Sequence, residues 1–366
     1  MKKIIKFMLI IILIILVIGV IYLVVTDKRN GKVTNNPTHT KKVKLTREEK
    51  INKLISNMSI DEKINQLLFV QTNSNDWTSY NKTNYGGVII GSKSSYEGLD
   101  NIGKDYNINP FIGTDDEGGF IERAAKGYKN ARDYKNDLDL IYSDEVKKST
   151  ELLEKGININ LGPVTDTITN SDSPLYYRSY SSDRDEVKKC IETILKARED
   201  TVIKSKKIGS VLKHYPGYPN IGVNTDYAEA LDNTSVDEIN KNISVFKHGI
   251  DKGASMIMIS NVIYSNLDKN NPASISNKII KSLREEYDGI IIPDDIGVAK
   301  GLINIEDRYI KALVAGNDMI VLWDVNVEEA FNNIKENLGN EISEEEIDKK
   351  LYRIINTKYD LGIIKE

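Results

Sequence analysis

Five short apolar runs in this 366-residue chain end in polar residues whose side chains could do chemistry. The polar residues are Asp115-Asp116, Asp166, Lys213-His214, Ser260-Asn261 and Asp294-Asp295. A carboxylate can attack an electrophilic carbon or transfer a proton, and a neighbouring cation can bind the polar groups of a substrate. A single acid in such a place more often caps the helix that follows. Five successive polar ends are poorly explained by capping alone and favour a shared functional face.

The elements that must position these residues are apolar runs of strand length, separated by longer amphipathic stretches. The predicted strands are Leu68–Gln71, Gly87–Ile90, Phe111–Thr114, Ile157–Leu161, Gly209–Leu212, Ser255–Ile259, Gly289–Ile292 and Met319–Leu322. Helical patterns between them include Asp185–Lys207 and Val236–Lys252. Repeated strand-helix units predict a parallel sheet. Eight of them predict an α/β fold of the (β/α)8 TIM-barrel type, with a doubly wound open sheet as the alternative.

The N-terminal segment Phe7–Val25 contains no charged residue. As a helix it would be roughly 28 Å long, close to the thickness of the hydrocarbon core of a bilayer. We therefore expect residues 1–26 to form a single transmembrane signal-anchor and residues 27–45 a flexible linker, with a globular domain over residues 46–366. The tail before this segment is short and the domain after it is large, an arrangement that favours export of the domain. We therefore expect the barrel to lie on the outer side of the cell membrane. The lipid bilayer is thus an expected partner.

Two capping boxes open the globular part, one formed by Thr46 and Glu49 and the other by Ser59 and Glu62. The overall composition excludes several classes of protein. A net charge of −4 and a pI near 5.7 give no reason to expect nucleic acid as a partner. The single cysteine, Cys190, excludes intramolecular disulfides and cysteine-cluster metal sites. No metal-binding motif and no phosphate-binding glycine loop occurs, so we expect no metal and no cofactor.

Eight stretches, taken in order, resemble glycoside hydrolase family 3 in its single-domain β-N-acetylhexosaminidase branch. They are MSIDEKINQLL (58–68), DDEGGFIER (115–123), GPVTD (162–166), RSY (178–180), KHYPGY (213–218), NPASIS (271–276), PDDIG (293–297) and AGNDMIVL (315–322). The resemblance runs from about Met58 to Gly362. It implies a barrel that acts as a monomer and cleaves terminal β-linked N-acetylglucosaminyl groups from a glycan, with cell-wall peptidoglycan as the source.

The resemblance also implies a retaining, two-step mechanism and assigns roles to residues of this chain. Matching PDDIG to the family's Ser-Asp-Asp-Leu makes Asp294 the nucleophile and leaves Asp295 to cap the next helix or to orient its neighbour. The implied sugar-binding residues are Asp115, Arg123, Arg178, Lys213 and His214. For the two arginines, a structural ion pair is the alternative.

The loop after Lys213 departs from the family, which there carries a catalytic histidine paired with an aspartate. In this chain the family's Asp-Ser-His falls on Asn224-Thr225-Asp226. Asp226 is then the candidate acid/base, provided that its pKa rises by about two units from ~3.9. If Asp226 is only a turn residue, the protein is a carbohydrate-binding relative with little turnover. A third hypothesis is a Schiff-base lyase that uses Lys213 as its amine.

Overall fold

The computed structural model describes residues 45–78, 80, 82–219 and 221–365, and the account below concerns the compact unit that begins at Thr46. The predicted anchor, Phe7–Val25, and nearly all of the predicted linker lie outside the described residues. Within the described ranges, no helix combines the length and the apolar character that crossing a bilayer requires. Membrane anchoring therefore stays a prediction from the sequence.

The described residues form ten strands. They are β1 (Leu68–Thr72), β2 (Gly87–Ile90), β3 (Phe111–Thr114), β4 (Ile159–Asn160), β5 (Gly209–Tyr215), β6 (Leu231–Asp232), β7 (Met256–Ile259), β8 (Ile263–Tyr264), β9 (Ile290–Pro293) and β10 (Ile320–Trp323). Eight form one sheet in the order β10-β1-β2-β3-β4-β5-β7-β9, and all its pairs are parallel. The short strands β6 and β8 pair separately.

The large sheet curls into a barrel because its last strand in the chain pairs with its first. Leu68 of β1 lies opposite Ile320 of β10. At the remaining seam, between β9 and β10, the amide of Asp318 donates to the carbonyl of Ile291 at 2.7 Å. The barrel is therefore nearly closed. This confirms the predicted TIM-type α/β barrel, and the open doubly wound alternative is wrong.

Nine α-helices are described. They are α1 (Arg47–Ser56), α2 (Ile60–Gln66), α3 (Leu138–Glu154), α4 (Arg184–Asp200), α5 (Val236–Asp251), α6 (Asn277–Arg284), α7 (Arg308–Ala315), α8 (Val327–Glu336) and α9 (Glu344–Asp360). Both predicted capping boxes are present, with Thr46 and Ser59 as the capping residues. Such caps satisfy backbone amides that a helix start leaves unpaired, contributing about 1 kcal/mol each.

The core fixes the strands that carry the functional residues. The rings of Phe69 and Phe111, on neighbouring strands of the sheet, have centroids 6.2 Å apart. A Cβ atom at Gly87 would lie 2.6 Å from the Phe69 ring, so only glycine fits beside it. A second buried cluster, which includes Cys190, Leu212 and Phe246, joins α4 and α5 to β5. Burying each such apolar side chain contributes about 1.5–3 kcal/mol.

Two element boundaries differ substantially from the sequence predictions, while most of the others shift by one or two residues. The helix predicted over Asp185–Lys207 ends at Asp200, and a tight turn follows in which Lys204 and Ser205 have positive φ angles. The fifth strand continues past Leu212 to Tyr215, so Lys213 and His214 belong to β5 itself rather than to the loop after it. The peptide bonds that precede His214 and Pro216 are both cis.

Candidate active site

A cavity of about 430 Å³ opens where the barrel strands end. Its walls include residues at the ends of β1, β3, β5, β9 and β10, as the parallel topology requires. All seven residues singled out from the sequence line it: Asp115, Arg123, Arg178, Lys213, His214, Asp226 and Asp294. The fold thus brings together residues that are separated by up to 179 positions in the chain.

Glu117 is the centre of a buried charge cluster that joins three of these residues. One of its carboxylate oxygens lies 2.7 Å from Nζ of Lys213, and Arg178 donates to both oxygens through Nε and Nη2, at 2.7 and 2.8 Å. Lys213 also contacts Asp115 at 2.9 Å. Burial alone would raise the pKa of Glu117, but the attraction of Arg178 and Lys213 outweighs it and holds that pKa well below its usual range.

Lys213 is held in its charged form by the same cluster. Burial, with only 3% of the side chain exposed, acts to lower the pKa of its amine, but the charges of Asp115 and Glu117 reverse this and raise the pKa. A charged ammonium donates hydrogen bonds to oxygens, whereas a Schiff base requires the neutral amine. This environment therefore favours hydroxyl binding by Lys213 over the lyase hypothesis.

His214 is oriented by Asp166, the acid at the end of the fourth predicted strand. The Nδ1 atom of His214 lies 2.8 Å from Oδ2 of Asp166. The same buried carboxylate accepts hydrogen bonds from the backbone amides of His214 and Tyr218, which fixes the turn between them. With Nδ1 engaged, Nε2 is the ring nitrogen left for a ligand in the cavity.

Asp294 and Asp295 follow β9 and differ in their hydrogen-bond partners. The Oδ1 atom of Asp294 accepts a hydrogen bond from the amide of Asp295 at 2.9 Å. Asp295 is 8% exposed, and its Oδ1 accepts from the amide of Gly297 at 2.8 Å. Asp295 therefore caps a turn instead of the next helix, and its amide contact with Asp294 agrees with the alternative that it orients its neighbour. Its Oδ2 is buried and has no hydrogen-bond partner among the described residues.

Burial raises the pKa of Asp295 to about 7, and repulsion from Asp294 and Asp226 adds to this effect against the hydrogen bonds from the turn. The fold thus brings Asp226, Asp294 and Asp295 into the same cavity as Asp115 and Glu117, and burial holds Asp295 near the midpoint of its titration at neutral pH. The sequence identified the Asp-Asp pair but could not distinguish the environments of its members.

Asp226 lies on the loop that departs from the family pattern. The Oδ1 atom of Asn224 accepts from the amide of Asp226 at 2.9 Å, so Asn224 shapes the turn. Partial burial of its carboxyl group raises the pKa of Asp226, as does repulsion from Asp294, while His214 and Arg178 act in the opposite direction. Because the residue as a whole is exposed, solvent screens these effects more strongly than at Asp295.

The two predicted arginines differ in their partners. Arg178 forms the ion pair with Glu117 and lines the cavity at the same time, so it has a structural contact as well. The guanidinium of Arg123 lines the cavity without an ion pair or hydrogen bond to any described residue. Its position is set by its backbone, since Asp116 accepts hydrogen bonds from the amides of Arg123, Ala124 and Ala125. Arg123 is therefore available to a ligand.

Sequence reasoning missed Glu117 as a member of the site. The available signal was its spacing: it lies two positions after Asp115, just beyond the end of β3.

With regard to metals, the described part of the chain contains no group of three or more His, Cys, Asp or Glu side chains placed to bind an ion.

The nearly closed parallel barrel, with a charged pocket at the carboxyl ends of its strands, defines a TIM-barrel protein whose pocket lies where such barrels carry their active sites. Residues 59–357 match the family model for the glycosyl hydrolase family 3 N-terminal domain. The match covers most of the chain, and the protein belongs to glycosyl hydrolase family 3. This confirms the family resemblance.

Individual relatives agree with this assignment. A β-hexosaminidase of Nitrosomonas eutropha is 28% identical over 228 residues, which cover 58% of this chain and 64% of that protein. Among solved structures, a family 3 β-N-acetylglucosaminidase from Paenibacillus sp. str. FPU-7 has a TM-score of 0.76 at 20% identity, over 84% of this chain and 64% of that one. A β-N-acetylhexosaminidase from Beutenbergia cavernae has a TM-score of 0.74 at 22% identity, over 83% and 99% of the two chains. At these identities the structural likeness supports the fold.

Proposed function

We propose that this protein is a retaining glycoside hydrolase that removes terminal β-linked N-acetylglucosaminyl groups from a glycan. The observation that carries the proposal is that Asp294 and Asp226 line one cavity with the cluster of Glu117, Lys213 and Arg178. Family membership and relatives named β-hexosaminidase support the class of substrate.

In the first step, a carboxylate oxygen of Asp294 forms a bond to the anomeric carbon while the bond from that carbon to the leaving oxygen breaks. Asp226 gives its proton to the leaving oxygen. In the second step, the carboxylate of Asp226 takes a proton from water, the water oxygen attacks the anomeric carbon and Asp294 is released. The raised pKa of Asp226 suits the first step, because the group must hold a proton before it can donate one.

The charged cluster provides the contacts that hold the sugar. Asp115 accepts hydrogen bonds from hydroxyl groups, while Lys213 and Arg123 donate to hydroxyl or carbonyl oxygens. Their partners within the protein hold Lys213 and Asp115 in place before the substrate arrives, which reduces the entropic cost of binding. His214, oriented by Asp166, presents its free ring nitrogen to the same sugar.

A second candidate function is carbohydrate binding with little turnover. The observation that favours it is the exposure of Asp226, because solvent screens the effects that raise the pKa of this carboxyl group. Both candidate functions use the same sugar-binding residues. They differ only in whether the leaving oxygen receives a proton.

The expected setting is the outer face of a cell membrane, where residues 7–25 anchor a monomeric barrel and cell-wall glycan is the source of substrate. This part of the proposal rests on the uncharged N-terminal run and on the family resemblance. Fractionation of cells that express the full chain tests it. Recovery with membranes, lost on deletion of residues 7–25, is the expected result.

The activity itself is tested with the full chain in detergent and two substrates: an aryl β-N-acetylglucosaminide and an unactivated N-acetylglucosaminyl disaccharide. Asp294→Asn is compared with Asp288→Asn, an exposed acid just before the opposite end of the same strand. Release of sugar from both substrates, lost only in Asp294→Asn, supports the hydrolase. Saturable sugar binding without release from either substrate supports the binding protein instead.

A further inference from the structure

Two exposed aromatic rings contact each other beside the cavity. Phe120 is 74% exposed and Tyr177 is 47% exposed. Their ring centroids are 5.8 Å apart at an interplanar angle of 89°, and the ring of Tyr176 contacts that of Tyr177 in a similar edge-on manner at 5.2 Å. Adjacent exposed aromatic rings are costly in water and commonly mark a binding surface. We refer to Phe120, Tyr176 and Tyr177 as the aromatic platform.

The backbone of the platform and the ring of Tyr176 are held in place by their surroundings. The amide of Phe120 donates to Oδ1 of Asn130 at 3.0 Å. The preceding Gly119 has a φ of 58° and leaves no room for a side chain, since a Cβ atom there would lie 2.0 Å from the same oxygen. The guanidinium of Arg132 lies over the ring of Tyr176 at 4.4 Å and donates to its carbonyl oxygen. A fixed aromatic surface binds a ligand without first losing conformational freedom.

The backbone connects the platform directly to the wall of the cavity. Phe120 precedes Ile121 and Tyr177 precedes Arg178, and both Ile121 and Arg178 line the cavity. The platform residues themselves are outside that lining. A cavity of about 430 Å³ is near the lower end of the range for small-ligand sites, so an oligosaccharide must continue beyond it. The platform adjoins this wall of the cavity through Ile121 and Arg178, so it is a candidate surface for that continuation.

We propose that the aromatic platform binds the sugar on the leaving-group side of an oligosaccharide, by stacking Phe120 against the apolar face of its pyranose ring while Tyr177, perpendicular to Phe120, supports that ring and contacts the edge of the sugar. This inference rests on the proposed function, which places the terminal sugar in the cavity. A pyranose ring presents C–H groups on one face, and an aromatic ring covers that face while its hydroxyl groups stay in water. The platform therefore gives the protein a preference for longer glycans over single glycosides.

The test uses two substrates that differ only in what occupies the leaving-group side. N-acetylglucosaminyl fluoride has no ring there, whereas tri-N-acetylchitotriose has sugars there. For the full chain, we expect Phe120→Ala and Tyr177→Ala each to lower kcat/KM for the trisaccharide by about tenfold and to leave kcat/KM for the fluoride unchanged. Val202→Ala removes a half-exposed apolar side chain near the end of α4 and is the matched control.

Each outcome decides the proposal. An equal loss on both substrates, or no loss on either, overturns the platform as a sugar-binding site. If the wild-type protein hydrolyses neither substrate, the proposed hydrolase activity fails separately, and calorimetric titration with the trisaccharide decides the platform. Weaker trisaccharide binding by Phe120→Ala than by Val202→Ala then supports it, while equal or undetectable binding overturns it.

Discussion

The buried carboxyl group of Asp295 should make the stability of the barrel fall as the pH rises. In the folded protein the pKa of this group is raised to about 7, against an ordinary value of 3.8. Between these two pH values the folded state keeps a proton that the unfolded state has released. The contribution of Asp295 to the unfolding free energy is therefore largest below about pH 4. It decreases as the pH rises and reaches its lower limit above about pH 7.

Asp295→Asn removes this dependence while keeping the shape of the side chain. An asparagine retains Oδ1, which accepts from the amide of Gly297, and places an NH2 group where Oδ2 now has no partner among the described residues. A difference of about three pKa units corresponds to about 4 kcal/mol. We therefore expect the variant to exceed the wild type in unfolding free energy by about 4 kcal/mol more at pH 8 than at pH 4.

Urea denaturation at a series of pH values measures this difference directly. If the fold is unchanged, the slope of the unfolding free energy against urea concentration is the same for both proteins. Asp288→Asn is the control, since it makes the same chemical change at an exposed carboxylate that precedes the same strand. If the difference between Asp295→Asn and wild type is the same at pH 4 and pH 8, the carboxyl group titrates normally and the reasoning is wrong.

Three further predictions concern the other charged residues of the cavity. Glu117→Gln removes the buried negative charge that pairs with Lys213 and Arg178. We therefore expect it to lower the unfolding free energy, measured by urea denaturation, by about 3 kcal/mol. A decrease of less than about 1 kcal/mol would contradict the buried charge cluster. The guanidinium of Arg123 has no partner among the described residues, so Arg123→Ala should leave the unfolding free energy within about 0.5 kcal/mol of wild type. The same variant should raise the Kd for N-acetylglucosamine, measured by calorimetry, by tenfold or more. Asp226→Asn should lower kcat/KM for a disaccharide by about 10²–10⁴-fold and spare kcat/KM for a glycosyl fluoride, because kcat/KM reports the first step and fluoride leaves without a proton. Wild-type values of kcat/KM on both substrates would make Asp226 a turn residue.

Most of the fold could be predicted because its signals are local. Strands β2 and β3 have the predicted limits, and the caps at Thr46 and Ser59 form as their spacing indicates. The end of α4 was missed because Lys204 and Ser205 adopt positive φ angles in a turn that their residue types do not require.

Less of the site could be predicted, because its properties depend on contacts between distant parts of the chain. Lys213 and His214 stood out through their neighbours in sequence. The role of Glu117 depends on Arg178, 61 positions away, and on Lys213. The shifted pKa of Asp295 depends on burial, which its sequence neighbours do not show.

A mechanism-based label tests whether Asp294 forms the proposed covalent bond to the sugar. The full chain is treated with a 5-fluoro-N-acetylglucosaminyl fluoride, which slows the second step, and digested for peptide mass spectrometry. We expect the mass of one fluorosugar on the peptide that contains Asp294, and none in Asp294→Asn, with Asp288→Asn labelled like the wild type. Labelling of another residue, or no labelling of the wild-type protein, would contradict the assignment of Asp294 as the nucleophile.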